Sequence, residues 1–202
     1  MAALIIGVTG PIGSGKSAVS VELRRLGARV IDVDRVGKSV TGSETTLSKL
    51  ESRFGPSVRT TSGRLSRRGV AKIVFAREDR TALRDFNRIV QPLLTRTLLA
   101  IIARERKTSK KPVALDAALL IHWPQALRRM DEVLVVTAPA QIRFRRILAR
   151  GGDAKDAKRR IRAQSSSATY RRYATYLISN TSTSAALRRE VRRFWAERVV
   201  NR

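Results

Sequence analysis

The chain of 202 residues contains no cysteine, which excludes disulfides, thiolate nucleophiles and zinc–thiolate centres. A single histidine, His122, rules out a multi-histidine metal cluster. Acidic residues are scarce: 16 Asp and Glu stand against 42 Lys and Arg, 33 of them Arg, for a formal net charge of +26. Polyanions are the expected company of such a surface, and a solvated arginine-rich exterior accounts equally for the composition. The arginines recur in pairs from Arg24-Arg25 to Arg192-Arg193, so no single basic tail carries them. No apolar run approaches the roughly 20 residues that a membrane helix requires. The apolar start MAALIIGVTG lacks a basic leading region and runs straight into a glycine loop, which cleavage as a signal would remove. A soluble, cytoplasmic protein without a membrane partner is expected.

At 43% hydrophobic residues the chain can bury one α/β core. Leu4 to Thr9 is a short apolar run of the kind buried on both faces of a parallel sheet. Val19, Leu23 and Leu26 then fall on one helical face, with Gly27 as its stop. A second strand is expected over Ala28 to Asp34, completing a βαβ unit. Residues 35–106 are mostly helical in pattern, with Leu47, Leu50 and Phe54 on one face and Leu94, Leu98 and Ile101 on another. Lys111 to Ile121 and Asp131 to Pro139 return to strand-like runs. An arginine-rich helical hairpin over 140–164, broken by RGGD, precedes a last strand at Tyr176 to Ser179 and a helix with Leu187, Val191 and Phe194 on one face. The expectation is a single domain over 1–202: a core of 1–34, 111–139 and 174–202, a helical region over 35–106, and a lid over 140–165. No internal repeat interrupts it.

Gly10, Gly15, Lys16 and Ser17 satisfy G-x-x-x-x-G-K-[ST] between a buried strand and a helix, the context that defines a phosphate-binding P-loop. Its glycines let backbone amides curl around phosphate oxygens, and the helix N-terminus adds partial positive charge. Lys16 would bridge the β- and γ-phosphates and Ser17 would ligate Mg²⁺. A glycine turn that merely joins strand to helix would not need Lys followed by Ser. Asp34, read as closing the second strand, stands where a kinase needs a base for an acceptor hydroxyl, and strand alternation puts Asp32 on its face. Either aspartate could instead cap a helix or a turn. Asp116 is a candidate acidic residue near magnesium, or equally a strand-end cap. Arg145, Arg146 and Arg150 follow the Asp131 strand, where small kinases carry a lid. The switch and guanine-reading motifs of a GTPase are absent.

With these residues assembled, the sequence resembles the dephospho-CoA kinase family over nearly its whole length. Matching blocks come in order: GVTGPIGSGKS, LGARVIDVDRVG, Phe54-Gly55, GRLSRRGVAKIVF around Arg67, LDAALLI at Asp116, RRILAR, RIRAQ ending at Gln164, and YLISN ending at Asn180. The resemblance implies transfer of the ATP γ-phosphate to the ribose 3′-hydroxyl of dephospho-CoA, with Mg²⁺. It implies a three-layer α/β P-loop kinase fold with a parallel five-stranded sheet, a helical CoA-binding insertion and a lid. It implies catalytic roles for Asp34, Lys16, Arg146 and Arg150. ATP would meet Gly10, Gly13, Ser14, Gly15, Lys16, Ser17, Ala18 and Asn180, the acceptor would meet Asp34, Arg67 and Asp116, and the metal would meet Ser17.

The chain departs from the family pattern in a cluster. Gln91-Pro92 replaces His-Pro before the long central helix, and DAALLIH carries Ala118 for proline and His122 for glutamate. Thr175 and Ser62 each replace an aspartate. None of these belongs to the P-loop or is Asp34, so phosphate chemistry is expected to survive even where acceptor contacts have changed. Two further classes remain open at this stage: a kinase-derived nucleotide-binding protein that serves as a basic nucleic-acid- or ribosome-associated factor, and a small kinase with another hydroxyl acceptor. The sequence carries no signal for oligomeric state.

Overall fold

Ile5, Ile6 and Val8 are fully buried, as the apolar run before Gly10 predicts. The computed structural model describes residues 2–74 and 81–201; Phe75, which ends the block around Arg67, lies outside the described residues. In chain order the elements are β1 (Ile5–Thr9), α1 (Lys16–Arg25), β2 (Arg29–Asp32), α2 (Val33–Thr41), α3 (Glu44–Phe54), α4 (Arg67–Val74), α5 (Ala82–Thr108), β3 (Val113–Asp116), α6 (Pro124–Leu127), β4 (Glu132–Thr137), α7 (Ala140–Leu148), α8 (Ala154–Ala163), α9 (Ser167–Arg171), β5 (Tyr176–Ser179) and α10 (Ser184–Trp195). They form two compact units, Met1–Val33 with Ile101–Arg202, and Asp34–Ala100.

The first unit holds a parallel five-stranded sheet in the order β2-β3-β1-β4-β5. Alternation along β4 builds its layers. Leu134 and Val136 join Val19 and Leu23 of α1 and Leu187, Val191 and Phe194 of α10 in one buried cluster. Val133 and Val135 face the other way, onto Ile121 and Tyr170. Helical layers therefore cover both faces of the sheet, giving the three-layer α/β architecture expected from the sequence. Because all strands run in parallel, the loops after their carboxyl ends gather along one edge, where open α/β sheets bind ligands.

Two strand boundaries differ from expectation. β2 stops at Asp32, whose sheet partner Asp116 is the last residue of β3. With no ladder beyond that pair, Val33 buries its side chain as the start of α2, and Asp34 lies in the first helical turn. Asp34 therefore does not close the strand, and strand alternation does not relate it to Asp32; a carboxylate in a first turn suits the helix dipole. Likewise β3 ends at Asp116, and the apolar residues after it form a short 3₁₀ turn at Leu120–His122 that buries Leu120 and Ile121.

The second unit is helical. Leu50, Val58 and Val90 form its buried centre, with Phe54, Leu65, Val70, Ile73, Phe86 and Ile89 packed against them. Arg59 ties α3 to the turn that follows it, donating to Glu44 through both terminal nitrogens, at 2.5 and 3.1 Å, and to Glu51 at 2.8 Å. Pro92 sits inside α5 rather than before it, since residues from Ala82 onward are already helical. On that helix Val90, Leu94, Leu98 and Ile102 are among the buried apolar positions, Ile102 taking the place expected for Ile101.

Candidate active site

The loop between β1 and α1 crosses the carboxyl edge of the sheet, and its glycines are sterically obligatory. Gly13 has φ 77°, and a Cβ there would stand 2.7 Å from the Arg143 carbonyl oxygen. Gly15 has φ 104°, and a Cβ would stand 2.2 Å from Asn180 Nδ2. Gly10 also has a positive φ. Within the loop Ser14 N–H donates to the Pro11 carbonyl at 3.1 Å. The backbone N–H groups of Gly13, Gly15, Lys16 and Ser17 find no acceptor among the described residues. Several unpaired amides at the head of α1 form a concave donor set of the kind that holds phosphate oxygens.

Distant parts of the chain brace this loop. Ile12 N–H donates to Gln164 Oε1 at 2.7 Å. Asn180 follows β5 directly and is buried; its Nδ2 donates to the Ser14 carbonyl at 2.8 Å. Arg146 on α7 donates to the same carbonyl at 3.3 Å and to Asn180 Oδ1 at 3.1 Å. Burial pulls the Arg146 pKa down from its ordinary value, and the neighbouring Arg150 charge adds to that.

Lys16 opens α1, and its Nζ ion-pairs with Asp116 Oδ1 at the end of β3. The other carboxylate oxygen of Asp116 accepts from Ser20 Oγ at 2.7 Å. Asp116 thus holds the P-loop lysine through its charge while it also accepts from α1. Ser17 is exposed one position along the helix, and Asp32 lies beside Asp116 in the sheet register. Among the described residues no three His, Asp or Glu side chains cluster in a way that could hold a metal by themselves. This donor set fits Mg²⁺ only as that ion is usually held beside nucleotides, by one or two protein oxygens together with phosphates.

Arg143 is a feature that sequence reasoning missed. It is 6% exposed, yet its Nε and Nη1 are buried without a hydrogen-bond partner. Burial depresses its pKa, and Tyr170 offsets part of that effect. Tyr170 is itself pushed up by burial, and its hydroxyl donates to the Ala118 carbonyl at 3.1 Å. The available signal was helical spacing, since Arg143, Arg146 and Arg150 stand at i, i+3 and i+7. Gln164 was visible only as the end of a matched block.

The first unit brings together Gly10, Gly13, Ser14, Gly15, Lys16, Ser17, Ala18, Asp116, Arg146 and Asn180. Arg150 is exposed just beyond α7, as is Arg145 on that helix. Asp34 and Arg67 belong to the second unit; both are exposed, and Arg67 is the first residue of α4. Of the substituted family positions, His122 is exposed, whereas Thr175 bonds to Glu132 and accepts the Val133 N–H at 2.8 Å, joining the start of β5 to β4.

The sequence profile of the dephospho-CoA kinase family matches residues 4–186. The chain belongs to this family. A dephospho-CoA kinase from Thermobifida fusca is 35% identical over 196 residues, covering 96% of each chain. Among solved structures, TT1252 from Thermus thermophilus superposes with a TM-score of 0.78 at 32% identity, covering 98% of this chain and all of that one. Dephospho-CoA kinase from Campylobacter jejuni gives a TM-score of 0.74 at 20% identity over 96% of both chains and shares the fold. Membership makes the chain a transferase of coenzyme A synthesis, and the family reaction is ATP-dependent phosphorylation of dephospho-CoA. No helix among the described residues is long and apolar enough to cross a membrane.

Proposed function

We propose that this kinase moves the γ-phosphoryl group of ATP to the ribose 3′-hydroxyl of dephospho-CoA in the cytoplasm, with Asp34 as the base. The observation that carries the proposal is Lys16, held by Asp116 at the mouth of a loop whose amides at Gly13, Gly15, Lys16 and Ser17 are unpaired. Those amides bind the β- and γ-phosphate oxygens, and Lys16 neutralises charge as the bond between the γ-phosphorus and its bridging oxygen breaks. The acceptor oxygen forms the new bond to phosphorus, ADP leaves, and Asp34 takes the hydroxyl proton. Mg²⁺, held by Ser17 Oγ and the phosphates, would neutralise part of the same charge.

Arg146 steadies the loop through Ser14 and Asn180, and Arg150 approaches the transferring phosphate when the 140–165 segment closes. Arg67 meets a phosphate of the acceptor. Asp116 contributes through Lys16, and Asn180 serves ATP through the loop it supports. ADP release measured with ATP and Mg²⁺, with and without dephospho-CoA, tests the reading. Turnover that requires the acceptor and is lost in Lys16→Ala supports it; ATP binding without acceptor-dependent turnover overturns it.

A further inference from the structure

The edge of the sheet opposite the P-loop carries a groove that the kinase reaction does not use. It lies where β2 and β3 begin, whereas the P-loop follows the carboxyl end of β1. Its cavity of about 580 Å³ is walled by Arg24, Arg29, Lys110 and Lys111. A second cavity of about 600 Å³ shares Ser109, Lys110 and Lys111 with it and extends the groove to Arg106. Apolar residues, among them Ala28, Val30 and Pro112, complete the lining.

Part of this charge is already matched. α1 and α5 both end here, so basic residues in their last turns complement the partial negative charge of the helix ends. Arg106 pairs with Asp131 at 3.1 Å, and Arg29 shares the buried Glu105 with Arg104. Arg24, Lys110 and Lys111 have no carboxylate partner among the described residues, and all three are exposed. Lys110 and Lys111 lie beyond the end of α5, where its dipole does not account for them.

We infer that this groove binds the phosphate backbone of a nucleic acid, independently of the kinase site. Two adjoining concavities lined by cations that no carboxylate neutralises suit a chain of phosphates and give sequence-independent, salt-sensitive binding. A bilayer is the poorer fit. A flat surface does not enter a groove, and Val200 is the one large exposed apolar side chain among the residues that line it.

The test measures anisotropy of a labelled single-stranded RNA against salt for three full-length proteins: wild type, Arg24→Gln/Lys110→Gln/Lys111→Gln, and a control, Arg171→Gln/Arg188→Gln/Arg189→Gln, that removes equal charge from exposed positions elsewhere. The slope of log affinity against log salt is expected to fall by about two in the groove variant, at roughly 0.7 per lost contact on a single strand, and by much less in the control. Acceptor-dependent ADP release is expected to be the same in all three. Equal losses in the groove and control variants would show diffuse attraction and overturn the assignment. Retention on phosphatidylserine vesicles in preference to RNA would overturn it in favour of a membrane surface.

Discussion

Asn180 Nδ2 donates to the Ser14 carbonyl at 2.8 Å, joining residues 166 positions apart in the sequence at a buried point under the P-loop. Asn180→Ala leaves that carbonyl with only the longer bond from Arg146, and removes the Arg146 acceptor as well. The expected cost is about 1–3 kcal/mol of folding stability. Loosening of the loop is expected to weaken ATP binding about tenfold, or ~1.4 kcal/mol. Urea unfolding and ATP titration check the two effects separately.

Asp116→Asn keeps an acceptor for the Ser20 hydroxyl but removes the charge that holds Lys16. Turnover is expected to fall about 100-fold, the scale seen when one preorganised electrostatic group is lost. The unfolding midpoint should move little. Steady-state kinetics beside a thermal melt distinguish a misplaced lysine from a damaged fold.

Arg143 buries two guanidinium nitrogens without a partner, an arrangement that costs folding free energy. Arg143→Met retains a long, flexible side chain without the charge. In nucleotide-free protein it is expected to raise stability by about 1 kcal/mol or more. A lowered midpoint in chemical denaturation would instead mean that the guanidinium contributes to the ground-state fold.

Hydrogen bonds from Arg59 and then Ser48 hold the Glu44 carboxyl below its ordinary value of 4.5. A depressed folded pKa gives stability that is present above the unfolded value and is lost as pH falls through the folded one. Melts of the wild type are therefore expected to decline below about pH 4.5, more steeply than those of Glu44→Gln, with the difference shrinking at high salt. Parallel slopes for the two proteins would contradict the assignment.

The P-loop was legible because its signal is local: a buried strand, spaced glycines, Lys16-Ser17 and a helix occupy one short stretch. The five strands and the paired helices α7 and α8 were legible from apolar period and turn residues. What could not be read depends on distant partners. Asp34 entered α2 because the β2–β3 ladder ends at Asp32 and Asp116, a fact of pairing rather than of local composition. Gln164 under Ile12 and Asn180 under Ser14 have no local signature of their bracing role. Arg143 was lost among many arginines until its burial set it apart.

The most direct test of the central claim is to run the reaction to completion with ATP, Mg²⁺ and dephospho-CoA and locate the new phosphate by phosphorus–proton correlation NMR, for wild type and Asp34→Asn. The account predicts a 3′-phosphate on the ribose for the wild type. For Asp34→Asn it predicts turnover reduced about 100-fold or more with ATP affinity unchanged, within the range for loss of a general base. A phosphate on any other oxygen, or an Asp34→Asn enzyme that turns over at the wild-type rate, would contradict it.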